Sequence, residues 1–270
     1  NGGMEHVTRH MIYSRFWHRF LYDIGVVPTE EPYAKRTAQG LILGPDGEKM
    51  SKSKGNVVDP NDVVDVYGAD VLRVYTLFMG DYASAAPWSE SSVKGCKRFL
   101  DRVAGLTELV RDTGATPSLE SAFHKTVKKV TDDIEDMKFN TAIAAMMGLL
   151  NDIYENGSLT RDELVTFISL LCPFAPHLCE EIWEGLGGKG FLSLAPWPEY
   201  DEGKTVDDEI EIAVQICGKL RATIRIPREL PKDEAIAVAK ADEKIAAMLQ
   251  GKQILKEIYV PGKIVNIVAK

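Results

Sequence analysis

Lys49-Met50-Ser51-Lys52-Ser53-Lys54-Gly55-Asn56 is the stretch around which the chain is organised. Its three lysines, two serines and one glycine leave Met50 as the only apolar side chain. Such a segment cannot bury itself, and it crowds ammonium, hydroxyl and N–H groups into about 25 Å of chain even when fully extended. Lysine is a mobile point charge, and small residues let backbone amides approach an anion, so this is chemistry for gripping phosphates. A lysine-rich octamer also reads as a plain solvated turn, and the flanks decide between the two. Upstream, residues 37–43 (Thr-Ala-Gln-Gly-Leu-Ile-Leu) predict a short strand, and Gly44-Pro45-Asp46-Gly47 is a strong turn signal. Downstream, Asp59 and Pro60 stand as N-cap and first residue of a helix that Gly68 closes, and Asp70 is placed to cap the next helix, through Met79. The basic loop is thus slung between a strand and a capped helix, as a gating loop requires. Gly44 and Gly47 do not have the spacing of a Walker A loop.

Composition bounds the rest. A chain of 270 residues holds one large domain or two to three small ones, and 45% apolar with 27% charged residues is ordinary for a folded protein. The net charge of −8 argues against a uniformly basic, nucleic-acid-coating surface but leaves a local basic site open. Cys96, Cys172, Cys179 and Cys217 show no C-x-x-C spacing, which predicts buried free thiols in a reducing cytosol rather than a zinc site. No run approaches 18 apolar residues and no secretory signal is visible, so no membrane span and a cytoplasmic location are expected. The chain begins at Asn1, without methionine, and reads as a piece of a longer polypeptide.

Toward the N-terminus, residues 4–24 lack Gly and Pro and carry apolar residues at 7, 11, 12, 16, 17, 20 and 21, the spacing of a helix with a wide buried face. Gly2 and Gly3 just before it let a backbone approach a ligand. His6 and His10 share a face near Glu5. Three readings stand: a metal pair lacking a third ligand, polar packing, or hydrogen bonding beside the glycine pair. Gly25 and Pro28 end the helix.

Toward the C-terminus, Ser89 caps a long amphipathic helix, a second runs over 119–137, Asn140 is placed to cap a third, Thr160-Arg-Asp-Glu163 is a capping box for a fourth, and Pro176 starts another through Leu186. Five helices with short connections predict a bundle, with Met146 and Met147 as core filler. Beyond residue 206 the pattern changes. Alternation over 210–216 and 220–226 about a Gly218-Lys219 turn predicts a hairpin, followed by a helical stretch over 233–249 and a strand pair turned by Pro261-Gly262. This last module carries net +1, against −9 for residues 1–205. Its basic groups Lys219, Arg221, Arg225, Arg228, Lys252, Lys256 and Lys263 lie largely on the hairpins, where they serve either as polar outward faces or as phosphate contacts.

Lys49-Met-Ser-Lys-Ser53 resembles the KMSKS signature of class I aminoacyl-tRNA synthetases. Gly2-Gly3-Met4-Glu5-His6, His10 and Tyr13-Ser-Arg-Phe-Trp17 are similar to the adenosine-binding segment of the leucyl-tRNA synthetases, and Gly68-Ala-Asp-Val-Leu-Arg73 to the helix that follows the loop there. The likeness continues through Ala175-Pro-His-Leu-Cys-Glu-Glu-Ile-Trp183, Trp197-Pro198 and Val260-Pro-Gly-Lys-Ile-Val-Asn-Ile-Val268.

The resemblance implies a multi-domain, mainly α chain. Residues 1–88 would be the remnant of a Rossmann-type catalytic domain with the KMSKS loop, 89–205 an anticodon-binding-type helical bundle, and 206–270 a small α+β domain that contacts tRNA. It implies ATP-dependent activation of leucine to leucyl-adenylate and transfer to tRNA(Leu), with ATP and its Mg²⁺ as substrate and no tightly bound cofactor or structural metal. Lys52 would be the chief catalytic cation, helped by Lys49. Gly2, Gly3, Glu5, His6, His10, Leu41, Ile42, Lys49, Met50, Ser51, Lys52 and Ser53 would line the ATP and adenylate site. The partners implied are tRNA(Leu), leucine and the remaining catalytic and editing domains of a monomeric parent. The HIGH motif and the editing domain are absent from these residues, so leucine selection and editing have no address here. Two rivals stand beside this reading: a valyl-, isoleucyl- or methionyl-type enzyme, and a non-catalytic tRNA-binding helical module. The Gly2-Gly3-x-Glu5-His6 pattern and the Pro261-Gly262-Lys263 module speak against the first. With half the ATP site missing, this chain alone is expected to catalyse nothing, and leucine-dependent ATP–pyrophosphate exchange above background would refute that expectation.

Overall fold

The computed structural model describes residues 3–111, 116–205, 209–227 and 230–270. The chain forms two compact units, Asn1–Asp201 and Glu202–Lys270.

The first unit opens with a 3-10 turn, Met4–His6, a π turn, Val7–Met11, and helix α1, Ile12–Asp23. The predicted helix forms, but its predicted buried face does not: no residue of α1 is buried, and Ile12, Phe16 and Trp17 are 62%, 73% and 58% exposed. Apolar periodicity specifies a stripe that wants cover; it does not say that the cover lies in the same chain. The segment that folds back on α1 does so by polar contacts. Arg15 pairs with Glu31, Arg19 with Glu30, and His18 Nε2 meets the Thr29 carbonyl at 2.8 Å.

The predicted strand 37–43 shrinks to β1, Ile42–Leu43, which pairs in parallel with β2, Ala86–Pro87. Just before β1, Gly40 donates to the Tyr82 carbonyl (2.8 Å), so the chain meets the turn after the next helix pair instead of extending. Helix α2, Pro60–Tyr67, starts as expected, with Asp59 accepting from the Asn61 N–H at 2.8 Å. Helix α3, Ala69–Phe78, follows after Gly68, whose φ of 92° allows the sharp corner.

Asp70 does not cap α3. Nearly buried, it accepts from the Leu178 N–H (2.8 Å) and pairs with His177 Nδ1 (2.7 Å), which caps helix α8, Pro176–Gly185, a hundred residues away in sequence. One helical turn on, Arg73 donates to the carbonyls of Pro173 (2.8 Å) and Phe174 (3.2 Å). Between α3 and α8 run α4 (Glu90–Ala104), α5 (Pro117–Glu135), α6 (Phe139–Asn156) and α7 (Arg161–Leu171). Ser89 caps α4 and the Thr160–Glu163 capping box opens α7, both as predicted. Glu163 also accepts from the N–H and hydroxyl of Thr116, each at 2.9 Å, which ties the starts of α5 and α7 together. Asn140 is not a cap: Lys138 N–H reaches the Asp133 carbonyl (2.7 Å) around Met137 at φ 59°, and this brings the start of α6 forward to Phe139. One continuous core runs from Val63 of α2 through Val74 and Tyr75 of α3 to Phe167 of α7 and Leu192.

In the second unit, β3 (Glu209–Ile216), β4 (Lys219–Pro227), α9 (Lys232–Ala241), α10 (Glu243–Leu249), β5 (Ile254–Val260) and β6 (Ile264–Ala269) build a sheet of order β4-β3-β6-β5. The central pair β3–β6 is parallel and the outer pairs are antiparallel. The hairpin turns at Cys217-Gly218, one residue earlier than predicted, with both residues at positive φ (50° and 79°) as a tight two-residue hairpin demands. Asp242 breaks the predicted 233–249 helix because its carboxylate caps α10 through the N–H groups of Lys244 and Ile245, each at 3.1 Å. Ile212, Val214, Val265 and Ile267 pack with Ala235, Ile236 and Ile245 as a second core. Cys96, Cys172 and Cys179 are buried as expected, and burial pushes the Cys96 and Cys172 thiols up to about 11. Cys217, at the hairpin tip, is exposed, contrary to the expectation for it.

Asp70→Ala removes the cap of α8, and a lost cap costs about 1–2 kcal/mol. The urea midpoint should fall accordingly with the slope unchanged, and an unmoved midpoint would show that the α3–α8 clamp contributes nothing.

Candidate functional site

The basic loop is held as a closed unit. Leu43 of β1 bridges to Lys49 across a tight turn in which Gly44 N–H donates to the Glu48 carbonyl (2.8 Å) and Gly47 N–H to the Gly44 carbonyl (2.9 Å). Lys52–Lys54 then form a 3-10 turn, with Lys54 N–H on the Ser51 carbonyl (3.0 Å) and Gly55 at φ 67°. The hydroxyls of Ser51 and Ser53 lie 2.8 Å apart. Lys54 reaches Glu48 at 3.4 Å, whereas Lys49 and Lys52 are exposed and, among the described residues, in no ion pair. Two of the loop's three ammonium groups therefore remain available to an anion, and the third is partly neutralised.

Two residues, one in the Gly44–Gly47 turn and one at the end of the basic stretch, hold this unit together. The Asn56 side chain accepts from the Ser51 N–H (2.8 Å) and donates to both carboxylate oxygens of Asp46 (3.0 and 3.1 Å) and to the Lys49 carbonyl (3.4 Å). Asp46 also accepts from the Glu48 N–H (3.0 Å), and that bond, with the Asn56 amide adding to it against partial desolvation, holds its carboxyl below the usual range. The only sequence signal was an Asp within a Gly-Pro-Asp-Gly turn ten residues before an Asn.

β1 has β2 on one side and the Lys49 limb of the turn on the other. The carbonyls of Leu41 and Leu43 accept from Ala86 (3.1 Å) and Trp88 (3.0 Å). Because backbone groups alternate sides along a strand, the N–H and C=O of Ile42 face away from β2, toward the limb that the Leu43–Lys49 bridge holds alongside. Leu41 and Ile42 also line a cleft of about 430 Å³ with Thr76, Met79 and Tyr82. The structure thus brings Leu41, Ile42, Lys49, Met50, Ser51, Lys52 and Ser53 into one strand–turn–loop unit.

It does not join that unit to the N-terminal candidates. Among the described residues, no hydrogen bond, ion pair or ring contact links Gly3, Glu5, His6 or His10 to the loop. Gly3 is buried and its carbonyl accepts from Arg36 (3.4 Å), while Glu5 and His6 are exposed. His10 spends its nitrogens on the hydroxyls of Tyr13 (2.9 Å) and Tyr33 (3.4 Å). Gly2 lies outside the described residues, as does Arg228 of the second unit. In that unit Lys219, Arg221 and Arg225 stand exposed along β4, one edge of the sheet, with Arg225 registered opposite Glu211. Lys256 lies on β5, the opposite edge, with Lys252 before that strand and Lys263 in the turn after it. Among the described residues, no group of three or more His, Cys, Asp or Glu side chains is placed to hold a metal ion.

Two family descriptions match the chain: "Anticodon-binding domain of tRNA ligase" over residues 118–236 and "tRNA synthetases class I (I, L, M and V)" over residues 11–89. The chain is similar over its whole length to a leucine–tRNA ligase of Alkaliphilus oremlandii (strain OhILAs), at 52% identity over 271 residues. It spans 34% of that relative's length. Among solved structures it resembles the agnB2 LeuRS of Agrobacterium radiobacter K84, a ternary complex with tRNA and LeuAMS, at TM-score 0.71 and 32% identity, over 100% of this chain and 38% of that one. A methionyl-tRNA synthetase of Mycobacterium tuberculosis, in complex with methionyl-adenylate, shares the fold at TM-score 0.50 and 17% identity, over 69% of this chain and 43% of that one.

The strand before the loop depends on Gly40, where an added Cβ would lie 1.9 Å from the Ser84 carbonyl oxygen, a backbone atom that cannot rotate away. Gly40→Ala is expected to cost about 1–3 kcal/mol by overpacking, read as a lowered unfolding midpoint; a midpoint within error of the parent would show that β1 moves freely.

Proposed function

We propose that this chain is part of a leucine–tRNA ligase and supplies the KMSKS side of its ATP site together with surfaces for tRNA. The observation that carries the reading is the 52% identity maintained across all of the chain, with the Lys49–Ser53 motif on an exposed loop anchored by β1 and α2. In the activation step the leucine carboxylate attacks the α-phosphorus of ATP, bound as its Mg²⁺ complex, and the bond to the β-phosphate breaks. Negative charge then grows on the departing pyrophosphate. A cation placed there lowers the transition state more than the ground state, which is what accelerates the step. Lys52 is the proposed group, exposed and free of ion pairs among the described residues, with Lys49 beside it. The stretch at Leu41 and Ile42, which lines a cleft beside the loop, is proposed to meet the adenine ring. Gly2, Gly3, Glu5, His6 and His10 are proposed on the ribose side of the site, brought to it with the rest of the catalytic domain.

The exposed basic rows of the second unit are proposed to meet tRNA phosphates. Binding through them should weaken as salt rises, because each phosphate contact releases counterions. No described helix is long and apolar enough to cross a membrane, and the proposed setting is the cytoplasm, where tRNA is charged.

Lys52→Ala in the longer polypeptide that carries this chain should lower leucine-dependent ATP–pyrophosphate exchange by on the order of 10²-fold or more, the usual loss for one transition-state contact. A rate within about twofold of the parent would remove the catalytic assignment and favour a tRNA-binding module whose lysine loop is only structural.

A further inference from the structure

The loop that carries Lys49 and Lys52 is closed by one side chain. The Asn56 amide stands between the two limbs of the loop, taking the Ser51 N–H on its oxygen (2.8 Å) and giving its N–H groups to Asp46 (3.0 and 3.1 Å) on the preceding turn. Asp46 is itself oriented by the Glu48 N–H at 3.0 Å. The pair sits directly over Gly44: a Cβ there would lie 2.6 Å from Asp46 Oδ1, 2.9 Å from Asn56 Nδ2 and 3.0 Å from the Asn56 carbonyl. Gly44 is buried, although Asp46 on the next turn is exposed and Asn56 half-buried. The turn is thus shaped to seat these two polar side chains, and no apolar contact is needed to close it.

We propose that Asn56 and Asp46 form a positioning latch that sets where Lys52 stands for the reaction, an inference that rests on the function proposed above. Without the latch the 51–55 segment keeps the Leu43–Lys49 bridge on one side, the Asp59 cap of α2 on the other and the exposed Lys54–Glu48 contact at 3.4 Å. Its hydrogen bonds are solvent-accessible, and each is worth little net against water. They can be exchanged during a catalytic cycle, as a loop that moves and returns requires. Neither residue touches the reacting atoms; both act through the placement of the Lys52 turn.

The chemistry of the pair supplies its own control. Asn56→Asp sets two carboxylates against each other and removes every N–H the latch donates. The exchange Asp46→Asn with Asn56→Asp rebuilds it. An amide at position 46 donates to a carboxylate at position 56, which still accepts from Ser51, and the amide oxygen at 46 still accepts from Glu48. The bond through the other position-46 oxygen (3.1 Å) and the 3.4 Å contact to the Lys49 carbonyl are lost, and the 3.0 Å bond between the two side chains remains.

In the longer polypeptide that carries this chain, Asn56→Asp should lower the kcat of ATP–pyrophosphate exchange about tenfold and leave the KM for leucine unchanged. Tryptic cleavage after Lys52 should become about tenfold faster, since the open population of a segment governs its cleavage. The double exchange should return both values to within about threefold of the parent. An unchanged or raised kcat in Asn56→Asp, or a double exchange no better than the single variant, would overturn the latch. Lys52→Ala, run alongside, separates the two ideas. If it abolishes exchange while Asn56→Asp leaves kcat at the parent's value, the latch alone fails. If Lys52→Ala has no effect, the function proposed above fails, and the tryptic comparison still decides whether Asn56 closes the loop.

Discussion

The contact on which the first unit depends is the clamp that α3 places on the turn between α7 and α8. Asp70 takes the N–H of Leu178 and the ring of His177, and Arg73 takes the carbonyls of Pro173 and Phe174. A carboxylate at a helix N-terminus and a guanidinium at a helix C-terminus each meet the favourable end of the backbone dipole and satisfy groups that the helices leave unpaired. One face of α3 thereby completes both ends of a corner. Only Gly68 separates α3 from α2, and α2 is the downstream anchor of the lysine loop. The loop is therefore referenced to a core of buried helices, while its own residues stay exposed and replaceable by water.

Anchoring differs sharply along the unit. Tyr75 lies at the far end of α3, wholly buried, with its hydroxyl accepting from the Ser89 N–H (2.7 Å) and its ring edge-on to Trp88. Burial raises its hydroxyl above the ordinary range despite that bond. A polar group held this way is costly to leave unpaired, so the start of α4 is pinned. At the other extreme, α1 shows its aromatic face to solvent and is tied to the following segment by exposed ion pairs, which contribute little to stability. Ile12, Phe16 and Trp17 form an apolar stripe that the described residues leave uncovered.

Local signals were legible wherever the energy is local. The Asp59-Pro60 start, the Ser89 cap, the Thr160–Glu163 capping box and the alternation of β3 and β4 rest on neighbours within a few residues, and they were read correctly. The lysine loop was legible for the same reason, since its composition excludes burial whatever surrounds it. What failed were inferences that assumed the nearest partner. Asp70 was read as the cap of its own helix and caps one a hundred residues on; Asn140 yielded its place to a turn closed by Lys138 and Asp133; Asp242 split a helix whose apolar pattern ran straight through it.

The sequence by itself determined the chemistry carried by residues 49–56, the helical character of the middle of the chain and the β-rich character of its end, because each follows from composition and period. Tertiary structure alone decided that β3 pairs in parallel with β6, that the basic residues of β4 and of β5 lie on opposite sheet edges, and that Asn56 closes the loop onto Asp46. These depend on which backbone edge or polar atom is left unpaired once the chain has folded. A hydrogen-bonding group takes whichever partner folding brings within about 3 Å, and that distance in space is not written in the spacing of residues along the chain.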